Sequence, residues 1–432
     1  MTLPSDPRGA ALHGVRRLLS GAAAAGCAGY GVWSWLRGPR ARFPLDPDSI
    51  HRILVIRVDL LGDLVFSLPA LEALRAAFPR ARIDALVLPY AAEILADLAA
   101  VDRVYQLDVN RYRRPREPAE LRHLLAAIRD LRAEHYDLAV SLSGAVGGVL
   151  AVASGAPIRL GYVGDSYAGC FNAPVRGHRY DRPVHEVDYE LNLLQAIGVP
   201  VTRARPGLSQ ADHGRGEPSE LTASRSFEPS APPYAVIVPG ASNGSAKRWP
   251  ARHWAVVGDH LASERGLEIV LAGAASERAL AAEVANAMSA PLTNRVGTTS
   301  IGELRGLLAG AALVLAGDTG PLHLASALGR PVVGVYGPTD PTNTGPLAST
   351  AAVVRLGLAC SPCYDLRSPA DCKLPDRSIA CMVNLEPARV LAAVDSVLAA
   401  VASADGAAAH SQPALYSAGL TIRPGAEVVL GG

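Results

Sequence analysis

Lysine is almost missing from this chain: of its 41 basic residues only Lys247 and Lys373 are lysines, and the rest are arginines. Aromatic residues are scarce at 5%, so the cores must be built from alanine, leucine and valine. The net charge is only +1, and the folded region has no basic block interleaved with aromatics. Together these exclude a nucleic-acid partner held by bulk electrostatics. Six cysteines in 432 residues do not make a secreted disulfide scaffold. No Asp-x-Asp of the kind that holds a metal–diphosphate is present. What is abundant is apolar: 49% hydrophobic residues over a length that suits two domains of ordinary size.

The first fifty residues differ from the rest. Arg16 and Arg17 precede an uncharged stretch from Leu18 to Leu36, and Arg37, Arg40 and Arg42 come after it. The stretch barely reaches the length of a membrane span and is rich in Gly and Ala. No clear cleavage site precedes the first strand, which counts against a removed signal. The favoured reading is a helix lying on a membrane surface, with Trp33, Trp35 and the flanking arginines at the interface. A true span and a disordered extension are the alternatives.

From residue 53 short apolar runs alternate with helical periodicity. Strands are expected at Ile53–Ile56, Ile83–Leu88, Val104–Leu107 and Leu138–Ser141, and helices at Leu64–Phe78, Ala91–Ala99, Pro118–Glu134 and Val187–Ile197. This rhythm indicates a parallel, doubly wound sheet. Residues 201 to 233 break it with Pro, Gly, Ser and mixed charge. The second half repeats the pattern with strands at Tyr234–Val238, Glu268–Ala272, Leu313–Ala316 and Val332–Tyr336, and a helix over Pro387–Ala400 closes it. The division is therefore an extension over 1–50, a Rossmann-like domain over 51–205, a linker over 206–233, a second such domain over 234–402 and a disordered tail over 403–432.

Three segments carry polar residues at strand ends. After Leu313–Ala316 come Gly317-Asp318-Thr319-Gly320-Pro321-Leu322-His323, where Pro321 opens a helix. Open α/β sheets bind ligands at that edge, and a helix N-terminus offers free N–H groups to an anion, so a phosphate is the expected guest. After Tyr234–Val238 comes a loop of small residues, Pro239 to Ser245, ending at Lys247-Arg248-Trp249-Pro250. In a chain so biased towards arginine, a lysine here suits a point contact with phosphate. The bland alternative is a solvated loop lysine. After Ile53–Ile56 comes Arg57-Val58-Asp59-Leu60-Leu61-Gly62-Asp63. Asp63 lies near the start of the next helix, where it either serves chemistry or simply favours the helix dipole.

Four cysteines, Cys360, Cys363, Cys372 and Cys381, form C-x2-C-x8-C-x8-C in a loop. A structural zinc is one reading of that spacing. Reduced packing thiols and a redox-sensitive pair are the others.

Taken together, Arg57-x-Asp59-x-x-Gly62-Asp63 with Leu68-Pro69-Ala70-Leu71, Lys247-x-Trp249-Pro250, and Asp318-Thr319-Gly320-Pro321-x-His323-x-Ala325 with Tyr336-Gly337-Pro338-Thr339-Asp340-Pro341 resemble glycosyltransferase family 9, the ADP-heptose:lipopolysaccharide heptosyltransferases. The resemblance covers roughly residues 51 to 400, and Cys360-Ser361-Pro362-Cys363 with Cys381-Met382 looks like its second-heptosyltransferase branch. It implies a GT-B fold of two facing Rossmann-like domains, acceptor on the N-terminal side and nucleotide sugar on the C-terminal side. It also implies inverting transfer from an ADP-sugar to a lipid A–Kdo or related glycolipid acceptor, at the inner leaflet of the bacterial inner membrane from the cytoplasm. No cofactor is expected for the catalysis itself.

Asp63 matches the family's proposed catalytic base, and Arg57 and Asp59 fall on the acceptor side, where Asp59 competes for Asp63's role. Ser242, Asn243, Lys247, Glu277, Asp318, Thr319, Gly320 and His323 fall on the donor side. A family member moving another sugar onto another cell-surface glycan, a sugar-nucleotide epimerase and a non-catalytic binding protein remain the competing readings.

Overall fold

The computed structural model describes residues 43–96, 98–112, 118–167, 169–177, 184–201, 208, 232–241, 244–364, 372–408 and 426–427, together with Gly26 and Gly29. Apart from Gly26 and Gly29, the expected surface helix over 18–36 lies outside the described residues, as does nearly all of the 206–233 linker. Among the described residues no helix is long and apolar enough to cross a membrane. The chain divides into two compact units. One comprises Met1–Asp59, Pro69–Arg182 and Val187–Arg203; the other comprises Leu60–Leu68, Pro183–Glu186 and Ala204–Gly432.

The sheet of the first unit runs through β1 (Arg52–Arg57), β2 (Arg82–Val87), β3 (Arg103–Gln106), β4 (Leu138–Ser141), β5 (Ile158–Tyr162) and β6 (Ala173–Val175). All pairs are parallel, in the order β3-β2-β1-β4-β5-β6. This is the dinucleotide-fold order, whose direction reverses between β1 and β4. The central strands are buried on both faces, which is why they read as apolar runs rather than alternating ones. Helices α1 (Leu61–Phe66), α2 (Leu68–Ala77), α3 (Pro118–Ala133), α4 (Ala145–Ala153) and α5 (Glu186–Gln195) occur in this part of the chain.

The second sheet contains β7 (Tyr234–Val238), β8 (Glu268–Leu271), β9 (Leu292–Asn294), β10 (Leu313–Gly317), β11 (Val332–Val335), β12 (Ala351–Val354) and β13 (Ala426–Glu427), in the order β13-β12-β11-β10-β7-β8-β9. Its reversal point lies between β7 and β10, which pair in register Leu313↔Ala235 to Ala316↔Val238. Helices α6 (Ala251–Arg265), α7 (Arg278–Ala287), α8 (Ile301–Ala309), α9 (Gly320–Ala327) and α10 (Pro387–Ala408) accompany it. Trp249 and Trp254 meet edge to face at 4.9 Å in its core, supplying bulk that a core of Ala, Leu and Val otherwise lacks.

The structure corrects several expectations. The helix expected over Leu64–Phe78 is two helices, because Pro69 has no N–H to give and its ring crowds the carbonyl of Val65. The helix expected over Ala91–Ala99 is instead a 3₁₀ stretch, Pro89–Ile94. Strands β5, β6, β9 and β12 and helix α4 have no counterpart in the sequence pattern: the strands are three to five residues long, and α4 carries Gly147 and Gly148. The tail expected to be disordered from 403 begins as helix, since α10 runs to Ala408, and Ala426 pairs with Ala352. The rest of that tail lies outside the described residues.

A charged network lies near the amino ends of β2 and β4. Asp84 is fully buried, accepts from the Tyr136 hydroxyl at 2.7 Å and pairs with Arg82 at 2.9 Å. Arg82 also pairs with Glu134, whose other oxygen accepts from the Tyr105 hydroxyl at 2.8 Å. Removing the phenol in Tyr136→Phe strips a donor from a buried carboxylate. That should cost about 1–3 kcal/mol, read as a shift of the urea midpoint; an unmoved midpoint would refute the role given to it.

Glu134 is held below the ordinary carboxylate range, first by Arg82 and then by Tyr105. Its contribution is full above its unfolded value of about 4.3 and is lost as pH falls through the depressed folded value. Glu134→Gln should therefore flatten the acid limb of the stability curve below about pH 5.

Candidate functional site

The carboxyl ends of β7 and β10 flank the reversal point of the second sheet, and two polar loops leave from there. Asp318 is the first residue after β10, and its carboxylate is almost fully buried. Lys247, from the loop after β7, donates to its Oδ2 at 3.1 Å, and His323 Nε2 donates to its Oδ1 at 3.0 Å. Burial alone would raise the Asp318 pKa; the Lys247 charge and the His323 hydrogen bond outweigh it and hold the acid well below the usual carboxylate range. Asp318 is thus an anion that fixes two cationic or proton-donating groups side by side.

Helix α9 begins beside this pair. Thr319 is its N-cap and Pro321 sits in its first turn, so the free backbone N–H groups of the helix start open at the same edge. His323, one turn in, is buried, and its Nδ1 has no hydrogen-bond partner among the described residues. Lys247 extends over the Tyr364 ring with its Nζ 4.2 Å from the centroid. The Tyr364 phenol is pushed up to about 12 by burial first, then by the charges of Asp318 and Asp63. Tyr336, fully buried at the end of β11, donates to Thr344 O at 2.9 Å and is raised well above its ordinary value by burial and by Asp318.

Asp63 reaches this neighbourhood because residues 60–68 belong to the second compact unit rather than to the unit that contains β1. It is the third residue of α1, and its Oδ2 accepts from the Leu60 N–H at 3.2 Å. Helix α1 lies directly on α9. A Cβ built on Gly62 would stand 3.0 Å from His323 Cδ2, and one on Gly320 would stand 2.9 Å from Leu61 Cβ. Both glycines are needed for an approach this close.

The remaining candidates separate. Arg57 and Asp59 lie in the first unit. Arg57 is buried, pairs with Glu190 at 2.6 Å and Asp59 at 3.3 Å, and donates to Leu142 O, so it serves as an internal anchor. Glu277 caps the turn after β8 by accepting from Ala274 N at 2.8 Å and fills the space over Gly240, where a Cβ would stand 2.1 Å from its carboxyl carbon. Ser242 and Asn243 lie outside the described residues.

The four cysteines are free thiols, and Cys381 is pushed up to about 11 by burial and by its neighbours Cys363, Cys360 and Cys372. Among the described residues no three or more His, Cys, Asp or Glu side chains converge as a ligand set for a metal. The chain's Asp46-Pro47-Asp48 triplet is spent on structure: Asp46 caps a 3₁₀ turn and Asp48 pairs with Arg80.

Tyr364, Glu190, Phe66 and His185 do not stand out in the sequence. Tyr364 directly follows Cys363, and an aromatic in so aromatic-poor a chain is the one available signal. The partnership of Glu190 with Arg57 has none.

The sequence pattern of glycosyltransferase family 9 (heptosyltransferase) matches residues 124–374. Lipopolysaccharide heptosyltransferase 2 of Salmonella typhimurium is 28% identical over 316 residues, 71% of this chain and 88% of that protein. Lipopolysaccharide heptosyltransferase 1 of Escherichia coli is 29% identical over 313 residues, 70% of this chain and 93% of that protein. The solved structure of E. coli heptosyltransferase WaaC with ADP superposes with a TM-score of 0.61 at 24% identity, covering 80% of this chain and 99% of that one. The likeness makes the fold GT-B, with two Rossmann-like units.

Lys247→Ala should leave Asp318 buried with only His323 to balance it, a loss of roughly 3 kcal/mol for a broken buried pair. Asp318 stabilises the fold above its unfolded value of about 3.9 and loses that contribution as pH falls through its depressed folded value. The penalty measured by chemical unfolding should therefore be larger at pH 7 than near pH 3. Equal penalties at both would show that Lys247 acts by packing alone.

Proposed function

Because the chain belongs to glycosyltransferase family 9, we propose that it transfers heptose from ADP-L-glycero-D-manno-heptose to a lipid A–Kdo acceptor of the lipopolysaccharide inner core. The family makes it a transferase enzyme. The choice of donor rests on relatives whose names state heptosyl transfer to lipopolysaccharide and on a related structure carrying ADP. The observation that carries the chemistry is that a carboxylate, Asp63, and an anion-receiving edge of Lys247, His323 and the α9 start share one compact unit, with the Tyr364 phenol in the field of both Asp63 and Asp318.

In this reading an acceptor hydroxyl oxygen attacks the anomeric carbon while the bond from that carbon to the diphosphate oxygen breaks. Asp63 takes the hydroxyl proton. ADP departs with its new negative charge facing the Lys247 ammonium and the free N–H groups at Thr319 and Gly320. A single displacement of this kind inverts the anomeric centre. Asp318 remains ionised and keeps Lys247 and His323 in place; it does not exchange the proton. Fixed cations at the leaving group replace what a divalent metal supplies elsewhere, so transfer is metal-independent.

The deciding experiment is incubation of the purified protein with ADP-heptose and defined lipopolysaccharide cores, read by mass spectrometry. A core one heptose heavier supports the proposal; an epimerised nucleotide sugar without transfer, or transfer only from another sugar nucleotide, replaces it. Asp63→Ala should lower turnover by roughly 10²–10⁴-fold while ADP affinity, measured by calorimetry, stays close to wild type. If Asp59→Ala does this and Asp63→Ala does not, the base is Asp59.

Chelators should leave transfer intact, whereas Lys247→Ala should weaken ADP binding by about 10–100-fold, the value of a hydrogen bond to a charged group. Strict Mg²⁺ dependence with no effect of Lys247→Ala would overturn the metal-independent account.

The proposed workplace is the inner leaflet of the bacterial inner membrane, reached from the cytoplasm. Deleting residues 1–48 should spare transfer to detergent-dispersed acceptor while slowing transfer to acceptor embedded in anionic vesicles. Unchanged rates on both acceptors would remove the membrane role given to the Leu18–Leu36 stretch.

A further inference from the structure

Helix α1 is only six residues long, too short to hold its own geometry, yet it carries the proposed base. Its orientation must come from what it packs against. Phe66, its last residue, is buried between two histidines. The Phe66 ring centroid is 4.5 Å from that of His323, tilted by 49°, and 5.2 Å from that of His185, edge to face at 83°.

Each histidine is itself tied down. His323 donates to Asp318 at 3.0 Å, and His185 Nε2 donates to Gly345 O at 2.9 Å. The neighbouring carbonyl, Thr344 O, accepts from Tyr336 at 2.9 Å. The Tyr336 phenol in turn lies close enough to Asp318 to feel its charge. The contacts run in series from Asp318 through His323 and Phe66 to His185 and the Thr344–Gly345 turn, which also receives Tyr336. All of these residues belong to the second compact unit.

We infer that Phe66 is a positioning residue for the transfer reaction: wedged between His185 and His323, it sets where α1 holds the Asp63 carboxylate relative to the Lys247–Asp318–His323 edge. Phe66 lies three residues after Asp63, close to one turn along the same helix, so a shift at the ring moves the carboxylate with it. Gly62, four residues before Phe66 and on the same face of α1, meets His323 as well, where a Cβ would stand 3.0 Å from its Cδ2. The ring and the glycine together seat this face of the helix against His323.

This inference rests on the reading of Asp63 as base. It predicts a loss in turnover without a matching loss in donor affinity, because a 1 Å misplacement of a reacting group costs up to about 10²-fold in rate. Phe66→Ala should lower kcat by about 10–100-fold with ADP affinity within about threefold of wild type, whereas Phe66→Tyr, which keeps the ring, should retain most of the activity. Gly62→Ala, which pushes α1 away from His323, should reproduce the loss in kcat.

The decisive measurement is a double-mutant cycle on the full-length protein. If Phe66 acts through Asp63, then Phe66→Ala adds little to the defect of Asp63→Asn, since residues that act as a unit are not additive. Full additivity, or a loss confined to ADP affinity, overturns the inference. Should Phe66→Ala fail to fold, Gly62→Ala and Phe66→Leu in the same cycle decide it. An enzyme whose wild type transfers sugar but whose Phe66 variants are unimpaired refutes the positioning role alone. A wild type that transfers nothing refutes the functional reading beneath it.

Discussion

One buried carboxylate organises the candidate site. Asp318 sits where desolvation would favour its neutral form, yet Lys247 and His323 keep it ionised at 3.1 and 3.0 Å. Burying a charge is costly unless it is paired and hydrogen-bonded. The two partners are therefore not free to wander, and the loop after β7, the start of α9 and the end of β11 are tied to one atom group. This constraint produces a fixed cationic edge that can receive an anion without first reorganising.

The same anchoring explains how a short helix can be part of the site. Helix α1 has too few residues for autonomous stability, but Gly62 and Gly320 let it approach α9 closely, and Phe66 fills the space between two tethered histidines. Its membership in the second compact unit brings Asp63 together with Lys247, while Arg57 and Asp59, only a few residues earlier, stay with the first. A stretch that looks continuous in sequence is thus split at Asp59 and Leu60. This split puts the two carboxylates in different compact units.

The first unit uses its charges differently. Arg57 is consumed by Glu190, Asp59 and the Leu142 carbonyl, and Asp84, Arg82, Glu134 and Tyr136 form a network at the opposite strand ends. These are structural ionic groups, paired with one another inside the unit. Of the thiols near residues 360–381, Cys363 and Cys381 are pushed up by burial first and then by the neighbouring thiols.

Local sequence determined much of this protein. Strand cores such as Tyr234–Val238 and Leu138–Ser141 are legible because buried parallel strands are continuous apolar runs, and the start of α9 because Pro321 marks a first helical turn. The loops at β7 and β10 are legible as an anion edge because glycine, lysine and a helix start have local signatures. Short or glycine-containing elements, β6 and α4 among them, are not, since three residues or a Gly-Gly pair carry too little periodicity. Only the tertiary structure put Tyr364 beneath Lys247, gave Arg57 to Glu190, and seated Phe66 between His185 and His323. Those pairings join residues far apart in the chain, and their energies depend on burial, which arises only when the sheets are complete.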